Sequence, residues 1–298
     1  MSLLKKLKGT GVAVVTPFKK DLSIDFDAIK NIVDYLVNNG INYIVVQGTT
    51  GESSTMTNDE KIISRKAFVE ANYGRIPLVL GLGSNDTMSL LNQLKDADCN
   101  GYSAILSVTP YYNKPSMKGL YNHFSLLAQT SELPIILYNV PSRTGCNMLP
   151  ETTIRLAKEF KNIIGIKEAS GDLNQVKQLI SDCPDDFLII SGDDDTASQT
   201  VLMGGDGVIS VVAGCIPKEF SEIINLSIHK NELESQLKFK IIKPLLNYLF
   251  EEGNPSGIKA ALSFLNLCEN NLRLPLVPVS KQLNDKIENS ISTIKKDY

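Results

Sequence analysis

Lys167 closes a short apolar run, Ile163-Ile164-Gly165-Ile166, and is followed at once by Glu168-Ala169-Ser170-Gly171. A run of β-branched residues ended by a turn signal predicts a buried strand. Burial disfavours the charged form of a lysine at such a strand end. Its pKa then falls, and a larger share is the neutral amine that can attack a carbonyl. A lysine whose ammonium reaches back to the surface is the competing reading.

Other polar segments also follow apolar runs. Gln47-Gly48-Thr49-Thr50-Gly51-Glu52-Ser53 places two threonines between two glycines. A tight turn of this kind exposes backbone N–H groups and hydroxyls that can cradle a carboxylate, although a plain glycine turn has the same composition. Thr109-Pro110-Tyr111-Tyr112-Asn113-Lys114-Pro115 holds two tyrosines on a stiff loop. Loop tyrosines serve packing, and a phenol can also relay protons. In Tyr138-Asn139-Val140-Pro141-Ser142-Arg143-Thr144-Gly145, Tyr138 is expected at the end of a strand. Arg143 follows in a loop, where it is either a surface charge or a planar fork for a carboxylate. Ser191-Gly192-Asp193-Asp194-Asp195 reads as a solvated loop and helix cap.

A lysine amine, a carboxylate cradle, a tyrosine relay and an arginine fit Schiff-base chemistry on a 2-oxo acid. The amine condenses with the carbonyl, the neighbouring carbon loses a proton to give an enamine, and that carbon attacks a second carbonyl compound. The iminium is itself the electron sink, so no metal or other cofactor is expected. The only histidines are His123 and His229, and there is no HExxH pattern.

The elements that would position these residues alternate. Apolar runs recur at Val12–Val15, Tyr43–Val46, Leu78–Leu82, Ser103–Val108, Ile135–Tyr138, Ile163–Lys167, Leu188–Ser191 and Gly207–Val212, mostly separated by stretches with helical spacing. One such stretch carries Phe26, Ile29, Ile32, Val33, Leu36 and Val37 and stops at Gly40. Strands alternating with helices predict a parallel sheet, and eight units predict a closed (β/α)8 TIM barrel of the α/β class. An open doubly wound sheet would carry a glycine-rich fingerprint after its first strand, where this chain has Thr16-Pro17-Phe18. The spacing beyond residue 217 predicts helices at Phe220–His229, Glu232–Phe250, Gly257–Cys268 and Val279–Ile294. The expected organisation is a catalytic barrel over residues 1–230 with a small C-terminal helical region, 231–298, packed on it. In such barrels chemistry sits at the C-terminal ends of the strands. Met203-Gly204-Gly205-Asp206-Gly207, which resembles a phosphate cradle, precedes the eighth strand and is therefore read as a structural turn at the opposite end.

The bulk composition is ordinary for a globular chain. The 298 residues carry a formal net charge of -3, which gives no basic surplus for nucleic acid. Five scattered cysteines without a CxxC pair fit a reducing compartment. The stretch Met1 to Gly9 has no apolar run long enough for a signal peptide, and no stretch approaches a membrane span. A cytoplasmic location without membrane contact is the expectation.

Taken in order at barrel spacing, Gly48-Thr49-Thr50-Gly51-Glu52-Ser53, Thr109 to Pro115, Tyr138 to Gly145 and Gly165-Ile166-Lys167-Glu168-Ala169 resemble the pyruvate-dependent class I aldolase superfamily. Within it the chain most resembles the dihydrodipicolinate synthase family, over essentially its whole length. The resemblance implies a lyase that condenses pyruvate with aspartate semialdehyde in the diaminopimelate route of lysine biosynthesis. It implies that Lys167 forms the Schiff base and that Tyr138 transfers protons. It further implies that Thr49 links Tyr138 to Tyr112 and that Thr49 and Thr50 hold the pyruvate carboxylate. Arg143 would meet the carboxylate of the semialdehyde, Gly192 and Ile209 would line the pocket, and Asn254 would lie near it. The resemblance also implies a homotetramer, a dimer of dimers, in which Tyr112 crosses a subunit interface. The N-acetylneuraminate lyase and sugar-acid aldolase branches share the lysine and the tyrosine but typically lack the Ser-Arg-Thr-Gly stretch, which makes them the alternative. Lysine-inhibited members bind the effector through positions matching Ser53, Ser54, Asn85 and Tyr111. Asn58, Lys61 and Ser89 stand where sensitive members tend to have two histidines and a glutamate, so weak feedback is expected.

Overall fold

The structure, a computed structural model, describes residues 2–298. Among these, eight strands close a barrel in chain order: β1 (Gly9–Ala13), β2 (Tyr43–Val46), β3 (Leu78–Gly81), β4 (Ala104–Val108), β5 (Ile135–Asn139), β6 (Ile163–Glu168), β7 (Leu188–Ser191) and β8 (Gly207–Ser210). Every neighbouring pair is parallel, with β1 closing on β8. Strands buried on both faces read as continuous apolar runs, which is why the sequence shows runs rather than alternation.

Alternation nevertheless divides each strand between two cores. Tyr43, Val45, Val79, Ala104, Leu106, Ile136, Tyr138, Ile190 and Ile209 pack with one another in one cluster. Their strand neighbours Ile44, Val46, Leu78, Leu80, Ile105, Ile135, Leu137, Ile189 and Val208 pack in a second, larger cluster with helix residues such as Ile29, Leu36, Phe124 and Leu156. The first cluster fills the barrel and the second seals the helices onto its outside.

The first strand differs from the expected Val12–Val15, since it starts at Gly9 and ends at Ala13. The two glycines that obscure it in sequence are steric requirements. A Cβ on Gly11 would lie 2.3 Å from ring atoms of Tyr43, and Gly9 has φ +88°. Tyr43 occupies the bottom of the barrel with no exposure, and only glycine leaves room for it. The last strand is shorter than expected, Gly207–Ser210, because Val212–Gly214 form a turn of 3₁₀-helix. The turn before β8 is structural: Asp206 Oδ2 accepts from Ile189 N at 2.8 Å, its carbonyl accepts from Gly9 N at 2.8 Å, and its carboxylate pairs with Lys8 at 2.7 Å.

The helices follow polar caps. Asp25, Asp86, Ser116 and Asp172 each accept a backbone N–H of the first turn of the helix that follows them. Past β8 come helices Pro217–Ile228, Glu232–Glu251, Ser256–Phe264 and Lys281–Asp297. The third ends four residues before the Cys268 expected from spacing. The last three pack on one another and on the barrel layer through Leu245, Leu249, Ile258, Leu283 and Ile287. No helix of the described residues is long and apolar enough to cross a membrane.

Candidate active site

The C-terminal ends of β5 and β6 carry the centre of the site. Their register pairs Tyr138 with Lys167 and Asn139 with Glu168. Paired residues of parallel strands face the same way, so Tyr138 and Lys167 both point into the barrel mouth. Lys167 Nζ lies 4.3 Å from the centroid of the Tyr138 ring. Both side chains are buried, at 5% and 8% exposure.

Burial lowers the Lys167 amine from its usual 10.5 to about 8, with the Asp194 carboxylate working against that and the Arg143 guanidinium adding to it. The same burial pushes the Tyr138 phenol up to about 12, opposed by the Arg143 charge and by a hydrogen bond with the Thr49 side chain. At neutral pH the pair therefore consists of a phenol that keeps its proton and an amine that gives one up readily.

Gly192, just after β7, forms the wall beside the lysine. Its N–H donates to the Glu168 carbonyl at 2.7 Å, and a Cβ there would lie 2.9 Å from Cγ and Cε of Lys167. Ile209 on β8 is 1% exposed and belongs to the barrel-filling cluster that includes Tyr138.

The loop after β2 supplies the threonines. Gln47 and Glu52 both adopt positive φ, at 60° and 51°. Non-glycine residues in this region are held there by surrounding contacts. Gln47 Oε1 accepts from Arg65 Nε at 2.9 Å, and Glu52 pairs with Lys259. Thr49 is exposed at the mouth, whereas Thr50 is buried and accepts from Asn254 Nδ2 at 3.0 Å. Asn254 therefore joins the C-terminal helical region to the threonine loop.

Arg143 lies on the short helix Pro141–Thr144, with an exposed side chain. Thr144 fixes that turn, since its hydroxyl donates to the Val140 and Cys146 carbonyls at 3.2 and 2.9 Å. Tyr112 is 88% exposed, with φ 75°, on the loop after β4.

One residue of the acidic run departs from the expected solvated loop. Asp194 is 3% exposed, and its Oδ2 accepts from the backbone N–H groups of Val211 and Val212, both at 3.0 Å. Burial raises its pKa, while hydrogen bonds from Ser210, Val212 and Val211 act in the opposite direction. It ties the ends of β7 and β8 together and is an electrostatic partner of Lys167. Three consecutive aspartates look alike in sequence, and only the closure of the barrel selects the middle one. Glu52 and Lys259 were likewise invisible as partners, being separated by most of the chain.

The arrangement offers an amine of lowered pKa, a protonated phenol against it, a hydroxyl-lined turn and a guanidinium at the rim. Among the described residues no cluster of metal-ligating side chains accompanies them.

Comparison with known proteins places the chain in a family. The model of the dihydrodipicolinate synthetase family matches residues 6–294. The 4-hydroxy-tetrahydrodipicolinate synthase of Flavobacterium psychrophilum is 51% identical over 94% of this chain and 96% of its own. Among solved structures, the dihydrodipicolinate synthase of Thermotoga maritima superposes with a TM-score of 0.94 at 40% identity, covering 97% of this chain and 98% of that one. The chloride-inhibited dihydrodipicolinate synthase of Acinetobacter baumannii, complexed with pyruvate, gives 0.93 at 40% identity, covering 97% and 99%. The chain belongs to the dihydrodipicolinate synthetase family.

Proposed function

We propose that this member of the dihydrodipicolinate synthetase family is a lyase that condenses pyruvate with L-aspartate 4-semialdehyde to 4-hydroxy-tetrahydrodipicolinate, in the diaminopimelate route of lysine biosynthesis. The observation that carries the reading is the buried Lys167 amine, with a pKa of about 8, lying 4.3 Å from the Tyr138 ring. The neutral amine adds to the pyruvate carbonyl and water leaves, giving an iminium. Loss of a methyl proton gives the enamine, whose carbon attacks the aldehyde of the second substrate. The amine of that substrate then attacks the iminium carbon, which closes the ring and releases Lys167.

Tyr138 carries the protons of these steps, and Thr49 orients its hydroxyl. Tyr112 extends the relay across a subunit interface in a homotetramer, which accounts for a tyrosine left 88% exposed in one chain. Thr49 and Thr50 hold the pyruvate carboxylate, with Asn254 bracing Thr50. Gly192 and Ile209 shape the pocket, and Arg143 receives the semialdehyde carboxylate as a bidentate fork. Residues 1–230 act as the catalytic barrel and 231–298 as the helical region braced on it, and the setting is the cytoplasm.

The test is to incubate the protein with pyruvate, add borohydride, map the adduct by mass spectrometry, and assay condensation with aspartate semialdehyde. A reduced pyruvyl group on Lys167 together with turnover is the expected result. An unmodified Lys167 in folded protein saturated with pyruvate overturns the reading.

A further inference from the structure

Behind the candidate pair, on the outer side of the same two strands, lies a buried carboxylate whose hydrogen-bond partners are all uncharged. Glu168 is 3% exposed. Its Oε1 accepts from Ser170 N at 2.7 Å and from Asn139 Nδ2 at 3.2 Å. Its Oε2 accepts from Asn139 Nδ2 at 3.0 Å and from Gln175 Nε2 at 2.8 Å. Asn139 has no exposure, donates to Asn147 Oδ1 at 2.7 Å and accepts from Met148 N at 2.9 Å. Gln175, on the helix Leu173–Asp182, accepts from Asn147 Nδ2 at 3.1 Å.

A buried carboxylate is costly unless its lone pairs are filled, and here donors from β5, from the loop after β6 and from the following helix fill them. Asn139 and Glu168 are one residue beyond Tyr138 and Lys167 on paired strands, and the two pairs share one register. Side chains alternate along a strand, so the Asn139–Glu168 contact faces the helices while Tyr138 and Lys167 face the mouth.

We propose that Glu168 is a positioning residue, which through Asn139 and Gln175 clamps the ends of β5 and β6 so that the Tyr138 phenol stays against the Lys167 amine. The clamp acts on proton transfer rather than on pyruvate binding, because it touches neither the threonine loop nor Arg143. It rests on the Schiff-base reading of Lys167.

The test uses the full chain as wild type, Glu168→Gln and Glu168→Gln with Asn139→Asp. The readouts are kcat, the pyruvate KM, borohydride trapping at Lys167 and the melting temperature. The single variant turns an acceptor toward two amide donors into a group that must donate to one of them. Its kcat is expected to fall about 100-fold, the scale of an ångström-level misplacement, with pyruvate KM and trapping at saturation retained. The double variant exchanges donor and acceptor across the contact and is expected to recover about tenfold, the worth of one hydrogen bond. Asn147 then keeps Gln175 Nε2 as a donor, at 3.3 Å.

A folded Glu168→Gln enzyme with wild-type kcat overturns the clamp, as does a folded double variant with no recovery. Should Glu168→Gln not fold, Gln175→Ala leaves the carboxylate its Asn139 and Ser170 donors; reduced kcat with unchanged pyruvate KM supports the proposal, and wild-type kcat overturns it. Absence of trapping in the wild-type chain would overturn the functional reading and the clamp with it. Trapping in the wild type beside an unimpaired variant counts against the clamp alone.

Discussion

Glu52 and Lys259 form an ion pair of 2.5 Å in which neither side chain has any solvent exposure. Lys259 Nζ also donates to the Asn271 carbonyl at 2.8 Å and sits 4.2 Å from the Phe18 ring centroid. Glu52 Oε2 accepts from Arg273 N at 3.1 Å. Burial lowers the Lys259 amine pKa, and the Glu52 charge opposes that shift. The pair fastens the threonine loop after β2 to the C-terminal helical region, five residues beyond Asn254.

Removing one partner leaves the other charge buried, at a cost of about 3–5 kcal/mol, whereas removing both charges is close to neutral. Lys259→Met is therefore expected to lower stability in urea unfolding by that amount, and the double variant Glu52→Gln with Lys259→Met to recover most of it. The recovered double variant should still show a raised pyruvate KM, because the loop carrying Thr49 and Thr50 has lost its anchor. A single variant as stable as wild type would show that the pair is not an uncompensated-charge device.

The Lys167 amine, at about 8 rather than 10.5, sets a pH dependence. At pH 7 about one lysine in ten is neutral, against about one in 3000 for an ordinary one. Schiff-base formation by the free enzyme should rise with pH up to about 8 and level off above it. Stopped-flow or quench trapping with pyruvate between pH 6 and 10 measures this. A rate still climbing steeply at pH 10 would show an unperturbed lysine. Folding follows the opposite bookkeeping from a stabilising group: the native site resists the proton, so burial of Lys167 costs stability below about 8, and that cost fades as pH rises toward 10.5.

Arg143 is exposed at the rim and makes its case through the second substrate. Loss of a charge-assisted bidentate contact costs roughly 1.5–3 kcal/mol, or about 10- to 150-fold. Arg143→Ala should raise the KM for aspartate semialdehyde on that scale while pyruvate trapping on Lys167 persists. Steady-state kinetics in both substrates separates the two. An equal loss for both substrates would place Arg143 in pyruvate binding instead.

His123 supplies an acid-sensitivity test away from the site. It is 4% exposed, with Nδ1 2.9 Å from Thr87 Oγ1, and burial lowers its pKa from 6.5 to about 4. The unfolded chain binds this proton first, so the contribution is present above pH 6.5 and is lost as pH falls toward 4, amounting to roughly 3 kcal/mol. Urea unfolding of wild type and His123→Gln across that window should show a steeper decline for wild type. Parallel declines would mean that the ring takes up its proton as readily in the fold as in the unfolded chain.

Much of this was legible in the chain because buried parallel strands leave continuous apolar runs and because barrel chemistry follows strand ends. Leu188–Ser191 and Tyr43–Val46 match their expected bounds, and the segments holding Thr49, Tyr138, Arg143 and Lys167 all fall where a barrel puts its mouth. The sequence by itself determined the number of strands, their order and which polar segments follow them, since these depend on local periodicity and turn chemistry. The tertiary structure alone decided which side chains meet. Between Ile135 and Ile136 the pairing with β6 slips by one residue, passing over Ile164, and that slip puts Lys167 rather than Ile166 beside Tyr138. Barrel closure likewise selected Asp194 from three aspartates, made Gly11 a seat for Tyr43, and brought Lys259 to Glu52. Register and long-range pairing are set by how the whole core packs, and no local pattern of residues encodes that sum.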